Sequence, residues 1–255
     1  MDPAVLVVAT PTSVPSPAPS PTPKPLTFVQ MNELYGPCVY LPVLMYHHVQ
    51  DPKAAKDNHQ TSISVDIDIF RNQMKFLKDR GYRTASISEL TAFFDNGASI
   101  PKKSVLITFD DGYEDFYFNA YPILRENSFT ALMFLSTGLI NNFGYLNWGE
   151  VSEMAGSGIA FGNHTWSHKS AVQKAEVIDN EISLADIQLT ERGFNNTKIF
   201  AYPYGSVNGR TEVYLAKLGY GAAFTTRYGS TLCLKQRYEL PRIRVGNRQL
   251  SSYGL

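Results

Sequence analysis

The chain has 255 residues, 44% hydrophobic and 18% charged, enough apolar material to bury one full α/β core. Lysine plus arginine and aspartate plus glutamate each number 23, so the formal charge is zero, and no basic run offers the counterion-release binding on which nucleic-acid partners depend. Two cysteines, Cys38 and Cys233, are too few for a disulfide framework or a thiolate metal cluster and leave open whether they pair with each other.

The apolar stretch Ala4 to Ala9 is shorter than a spanning helix or a complete signal peptide and reads as the stub of a removed anchor. Residues 11–25, PTSVPSPAPSPTPKP, cannot bury apolar area and read as an extended, polyproline-like spacer. The expected organisation is an N-terminal segment with its linker over 1–40 and a catalytic domain over 41–255. Such a spacer implies a tether to a membrane or wall, and an extracellular or surface-attached protein.

From Leu41 onward, apolar runs alternate with amphipathic stretches: VLMYHHV, FRNQMKFLKDRGY, SVLITF, YFNAYPILRENS, TALMFLST, WGEVSEMAGSG and IAFGNH. That rhythm predicts a parallel sheet covered by helices. Gly81, Gly193 and Gly219 follow amphipathic stretches where a helix C-terminus favours glycine. In such folds reactive residues gather where strands end, because the following loops converge on one face.

Two polar clusters fall at those places. Asp110 and Asp111 end the strand SVLITF, and adjacent carboxylates oppose joint ionisation unless a cation takes one of them. His164 and His168 follow IAFGN at a spacing that puts both on one face of a helical turn. Asp111, His164 and His168 together make a two-histidine, one-carboxylate set for a divalent metal with positions open to water and substrate. Zinc is the first expectation, and cobalt, nickel or iron suit the same donors.

The series TFDDG, HTWSH and Phe200-Ala201-Tyr202-Pro203-Tyr204-Gly205 resembles the ordered motifs of the NodB-homology polysaccharide deacetylases, carbohydrate esterase family four. The resemblance spans about Leu41 to Val245. It implies an α/β fold, a distorted (β/α) barrel of about seven parallel strands, that removes N-acetyl groups from amino-sugar polymers. Residue by residue, it implies that Asp110 is the catalytic base, that Asp111, His164 and His168 are metal ligands, and that the Tyr204 backbone N–H stabilises an oxyanion.

Two departures accompany it. Ala201 stands where family members often carry an arginine that orients the base, leaving Arg242 or Arg244 as candidates for that task. The late Leu-x-His segment that usually supplies the general acid is missing, since no histidine follows His168. Tyr46-His47-His48-Val49 is similar to the segment that supplies this histidine in poly-N-acetylglucosamine deacetylases of bacterial biofilms, and their third motif also tends to lack the arginine. That match implies that His47 is the acid and His48 is not, and since strand neighbours face opposite ways at most one of the two faces the site. The substrate expected from this branch is poly-N-acetylglucosamine ahead of peptidoglycan or chitin oligomers.

Trp166, Trp148, Pro203 and Arg242 are expected substrate contacts, and Tyr113 and Tyr145 are further aromatic faces for sugar rings. The alternative reading, motivated by Ala201 and the missing late histidine, is a catalytically impaired carbohydrate-binding module on the same barrel. A non-haem iron oxygenase would use the same ligand types but gives Asp110 no task.

Overall fold

The structure, a computed structural model, describes residues 25–255. The stretch Ala4 to Ala9, and the proline-rich tether apart from Pro25, lie outside the described residues. Seven strands carry the architecture: β1 (Val43–Tyr46), β2 (Ser104–Phe109), β3 (Ala131–Leu135), β4 (Ile159–Asn163), β5 (Ile199–Ala201), β6 (Ala222–Tyr228) and β7 (Leu240–Arg244). Each pairs in parallel with the next, and β7 pairs with β1, so the ring closes in sequence order. The expected barrel of about seven parallel strands is therefore present. A short rung, Arg83–Thr84, adds itself in parallel to the start of β2.

Alternation along the strands sorts the apolar residues into two layers. Leu106, Leu132, Phe134, Ile199, Ala201, Phe224 and Leu240 meet in one buried cluster inside the ring. Their neighbours Ile107, Phe109, Met133 and Leu135 point outward, onto Phe70, Met74 and Leu77 of the helix Ile67–Asp79. Burial on both faces is why all six residues of β2 are buried and why the run reads as continuously apolar. Gly81, Gly193 and Gly219 adopt φ of +71°, +74° and +80° at the helix ends where they were expected.

Folded structure begins ahead of Leu41. The helix Phe28–Tyr35 starts at a Thr27 capping box, and the strand Cys38–Tyr40 pairs antiparallel with Thr231–Cys233. Cys38 and Cys233 form a disulfide across that pair, which settles the question left open by their number. Among the described residues no helix is long and apolar enough to cross a membrane.

Candidate active site

The strand ends gather the two polar clusters at the C-terminal mouth of the barrel. Asp110 and Asp111 follow β2, His164 follows β4, Tyr204 follows β5 and His47 follows β1. Asp111 Oδ1 lies 3.3 Å from His164 Nε2 and 3.1 Å from His168 Nε2. Asp111 sits at φ +78°, and the adjoining Gly112 at φ +87° leaves no room for a Cβ, which would stand 2.9 Å from Leu135.

The donor chemistry fits a divalent cation. His164 Nδ1 lies 2.8 Å from the Ala201 carbonyl oxygen, which only accepts, so that nitrogen carries the proton and Nε2 turns a lone pair toward Asp111. Asp111 Oδ1 is buried without a hydrogen bond of its own. Facing acceptors at this distance need positive charge between them. A proton or a cation can supply it. Burial lowers the His164 pKa, but contact with Asp111 and the charges of both aspartates outweigh it, so the value is raised. For Asp111 burial acts upward, and the two imidazoles hold the carboxyl well below its usual range. A divalent ion binding here would displace the proton.

The two histidines do not share a helical turn, contrary to the spacing-based expectation. The segment is a loop with Thr165 at φ +66° and His168 at φ +58°, conformations that surrounding bonds must hold. Asn163 Oδ1 accepts the Thr165 N–H at 2.8 Å. Glu181, only 4% exposed on the helix Ala175–Glu191, accepts the Ser167 N–H at 2.6 Å and the Ser167 hydroxyl at 2.7 Å. Sequence reading missed Glu181. Its signal was an acid among the buried positions Ile178, Ile182, Ala185 and Leu189, where a charge is costly unless it has a task.

Asp110 is gripped by Arg242. The guanidinium donates to both carboxylate oxygens at 2.7 Å, to the Thr108 hydroxyl at 3.2 Å and to the Thr225 carbonyl at 3.0 Å. Register explains the meeting. Leu106 and Leu240 point into the ring, so Thr108, Asp110 and Arg242, at steps of two, do the same. Burial acts to raise the Asp110 pKa, but the Arg242 charge and hydrogen bonds outweigh it and leave the carboxyl lowered. Arg242 thus holds the Asp110 carboxylate, while Arg244 is exposed.

His47 has the parity of the inward-facing Val43, and it lies within the electrostatic reach of Asp110, Asp111, Arg242 and Arg244. Burial lowers its pKa more than the two aspartates raise it. His48 turns the other way, with Nδ1 2.9 Å from Asp115 and its ring stacked on Tyr113.

Three expected substrate contacts are corrected. Arg242 is fully buried beneath Asp110 and offers no surface to a ligand. Pro203 is buried too and shapes the turn before Tyr204. Trp148 packs on Phe194, with the Arg192 guanidinium 4.1 Å from its ring centre, because its place at the start of the helix Trp148–Ala155 turns it onto the outer core. Trp166 does stand at the rim, 38% exposed, lying against Gly138, where a Cβ would come within 2.5 Å of the indole. Tyr204 adopts φ +62°, and its hydroxyl reaches His168 Nδ1 at 3.2 Å.

A family profile described as polysaccharide deacetylase matches residues 97–223. YxkH of Bacillus subtilis (strain 168), which carries a polysaccharide deacetylase name only provisionally, is 32% identical over 212 residues, covering 80% of this chain and 71% of its own length. The poly-beta-1,6-N-acetyl-D-glucosamine N-deacetylase of Escherichia coli (strain K12) is 26% identical over 248 residues, and the match spans 80% of this chain but only 36% of that protein. Among solved structures, the Streptococcus pyogenes deacetylase PplD, in complex with acetate, superposes with a TM-score of 0.75 at 30% identity, covering 84% of this chain and 98% of that one.

Proposed function

The chain belongs to the polysaccharide deacetylase family, and from that premise we propose that it is a metal-dependent N-deacetylase of an amino-sugar polymer, with poly-N-acetylglucosamine the favoured substrate. The observation that carries the reading is the juxtaposition of an arginine-held carboxylate, Asp110, with the cation-demanding trio Asp111, His164 and His168. A base and a metal site side by side are what amide hydrolysis needs and what a pure binding module does not.

Asp111, His164 and His168 would hold the ion, zinc first and cobalt, nickel or iron next. When bound, such an ion polarises an amide carbonyl and acidifies water. Asp110, kept ionised by Arg242, takes the proton of the attacking water as its oxygen bonds to the acetyl carbon. The Tyr204 N–H donates to the oxygen that becomes negative, a donor whose loss typically costs about 100- to 1,000-fold. His47 delivers a proton to the sugar nitrogen as the carbon–nitrogen bond breaks, and acetate leaves. Trp166 supplies an aromatic face to the sugar ring.

Both departures that motivated the binding-module alternative have a partner in the fold. Arg242 meets Asp110 where the motif arginine is missing, and His47 stands near the aspartates where the late histidine is missing. The preference for poly-N-acetylglucosamine rests on the YHHV and AYPYG segments and on the substrate named for the Escherichia coli relative. An extracellular, surface-tethered location is proposed from the proline-rich segment together with the Cys38–Cys233 disulfide, a bond that persists in oxidising compartments.

The test is acetate release from N-acetylglucosamine oligomers by metal-stripped protein, with and without added zinc, cobalt or nickel, alongside Asp110→Asn and His47→Ala. Restoration by metal and loss in both variants supports the reading. A metal-loaded wild type that binds oligomers yet releases no acetate moves the binding module to the front.

A further inference from the structure

Beside the metal trio, on the far side of Tyr113, an open cleft of about 490 Å³ runs between the segment after β1 and the loop around Phe143. Tyr113 belongs to both places. It stands two residues beyond Asp111, and its ring stacks on His48 at 3.7 Å and lies 5.1 Å from Tyr145. A polymer with one unit at the metal site must continue somewhere, and this cleft adjoins that site.

Its walls have the chemistry of a sugar subsite with a negative bias. Neither lysine nor arginine lines it, whereas Glu114 and Asp115 do. Asp115 is already engaged, with Oδ1 on His48 and Oδ2 accepting the Val49 N–H at 2.6 Å. Among the described residues the Glu114 carboxylate takes part in no ion pair. His48, also among the lining residues, is 4% exposed, and its Nε2 is buried without a hydrogen-bond partner.

The backbone of the loop that carries Phe143 is tied to the turn after β2. Asn141 N–H donates to the Leu146 carbonyl at 2.9 Å, Leu146 N–H to Gly112 at 2.9 Å and Glu114 N–H to Gly144 at 3.1 Å. These bonds tie the loop to the metal-site turn and present Phe143 wholly exposed at the cleft.

We propose that this cleft is a subsite for a neighbouring polymer unit that already carries a free amine, bound through Glu114 to its ammonium and through Phe143 to its ring face. This rests on the deacetylase reading, since removing an acetyl group is what leaves such an amine. The product of one turnover becomes a recognition element for the next, so acetyl groups are removed in runs along the chain.

The experiment compares kcat/KM on fully N-acetylated β-1,6-linked oligomers with that on oligomers bearing one glucosamine unit, for metal-loaded wild type, Glu114→Gln and Phe143→Ala. Calorimetric binding of a glucosamine pentamer is measured on the same proteins. Wild type is expected to favour the partly deacetylated oligomer by about three- to tenfold, the scale of a partly exposed charged hydrogen bond. Glu114→Gln is expected to bring that ratio to about one and to weaken pentamer binding, with Phe143→Ala weakening both oligomers. Wild type without the preference, or Glu114→Gln binding the pentamer as wild type does, overturns the subsite. Pentamer binding that depends on Glu114 in a protein releasing no acetate keeps the subsite and sinks the deacetylase reading instead.

Discussion

Arg242 and Asp110, separated by 132 residues of sequence, meet inside the barrel through two hydrogen bonds of 2.7 Å each. The pair is buried, and a buried carboxylate without its cation would take a proton. Arg242→Met therefore leaves burial unopposed at Asp110. The acid limb of the pH profile of kcat/KM is expected to move to higher pH, with a stability loss of about 3–5 kcal/mol in urea melts. Arg242→Lys restores charge without the two-pronged fork and is expected to fall between the two. An acid limb that stays in place in Arg242→Met would show that the guanidinium does not set the base.

On the proposed mechanism His47 sets the opposite limb. As a general acid it must be protonated, and burial lowers its pKa from the ordinary histidine value. The rate is expected to fall as pH rises through that lowered value, which lies below the usual ~6.5. His47→Ala should lose the limb and about 100- to 10,000-fold in kcat. His48→Asn should keep the limb, because that ring faces Asp115 and Tyr113. A rate that climbs with pH without falling removes His47 from the acid role.

Metal removal has a readout apart from turnover. A chelator is expected to lower the thermal midpoint, and zinc at about 1,000 times its Kd to add about 4 kcal/mol by mass action. Because protons compete for the imidazoles, and Asp111 raises the His164 pKa, the affinity should drop on the acid side. Asp111→Asn should abolish the zinc-dependent shift. A midpoint indifferent to every divalent ion tried would argue against a cation at this trio.

Glu181 is a positioning residue whose effect should appear in metal affinity. Glu181→Ala leaves the Ser167 N–H and hydroxyl unpaired and frees the loop between the two histidines. Zinc affinity is expected to fall about 10- to 100-fold, as for other outer partners of metal ligands. Glu181→Gln retains one acceptor and should lose less. Unchanged affinity in Glu181→Ala, measured by competition with a chromogenic chelator, would reduce Glu181 to a folding role.

The Cys38–Cys233 bond closes 195 residues, so its contribution comes chiefly from restricting the unfolded chain. Replacing both cysteines by serine is expected to cost about 3–5 kcal/mol in stability while kcat stays within twofold, since the bond lies between Cys38–Tyr40 and Thr231–Cys233 rather than at the barrel mouth. A large fall in kcat at full folding would tie the N-terminal strand to the chemistry.

Much of this was legible in one dimension. The first four strands, their parallel pairing and the positions of Asp110, Asp111, His164 and His168 follow from local signals, apolar runs, glycine stops and polar residues at strand ends, whereas closure into a barrel was implied by the family resemblance. Strand parity, which is also local, said that at most one of His47 and His48 faces the site, and the family resemblance chose His47. What the sequence left undecided was which distant side chain stands beside which. Arg242 read equally well as substrate contact or base holder, and only ring closure, bringing β7 beside β1 and Thr225 beside Arg242, assigned it to Asp110. Trp148 and Trp166 are chemically identical, yet packing sent one to the outer core and the other to the rim. The histidine spacing suggested a helix, and Glu181, on the following helix, favours a loop instead. Local periodicity fixes the faces of an element, whereas pairings between elements depend on how the closed barrel superimposes those faces, which spacing along the chain does not encode.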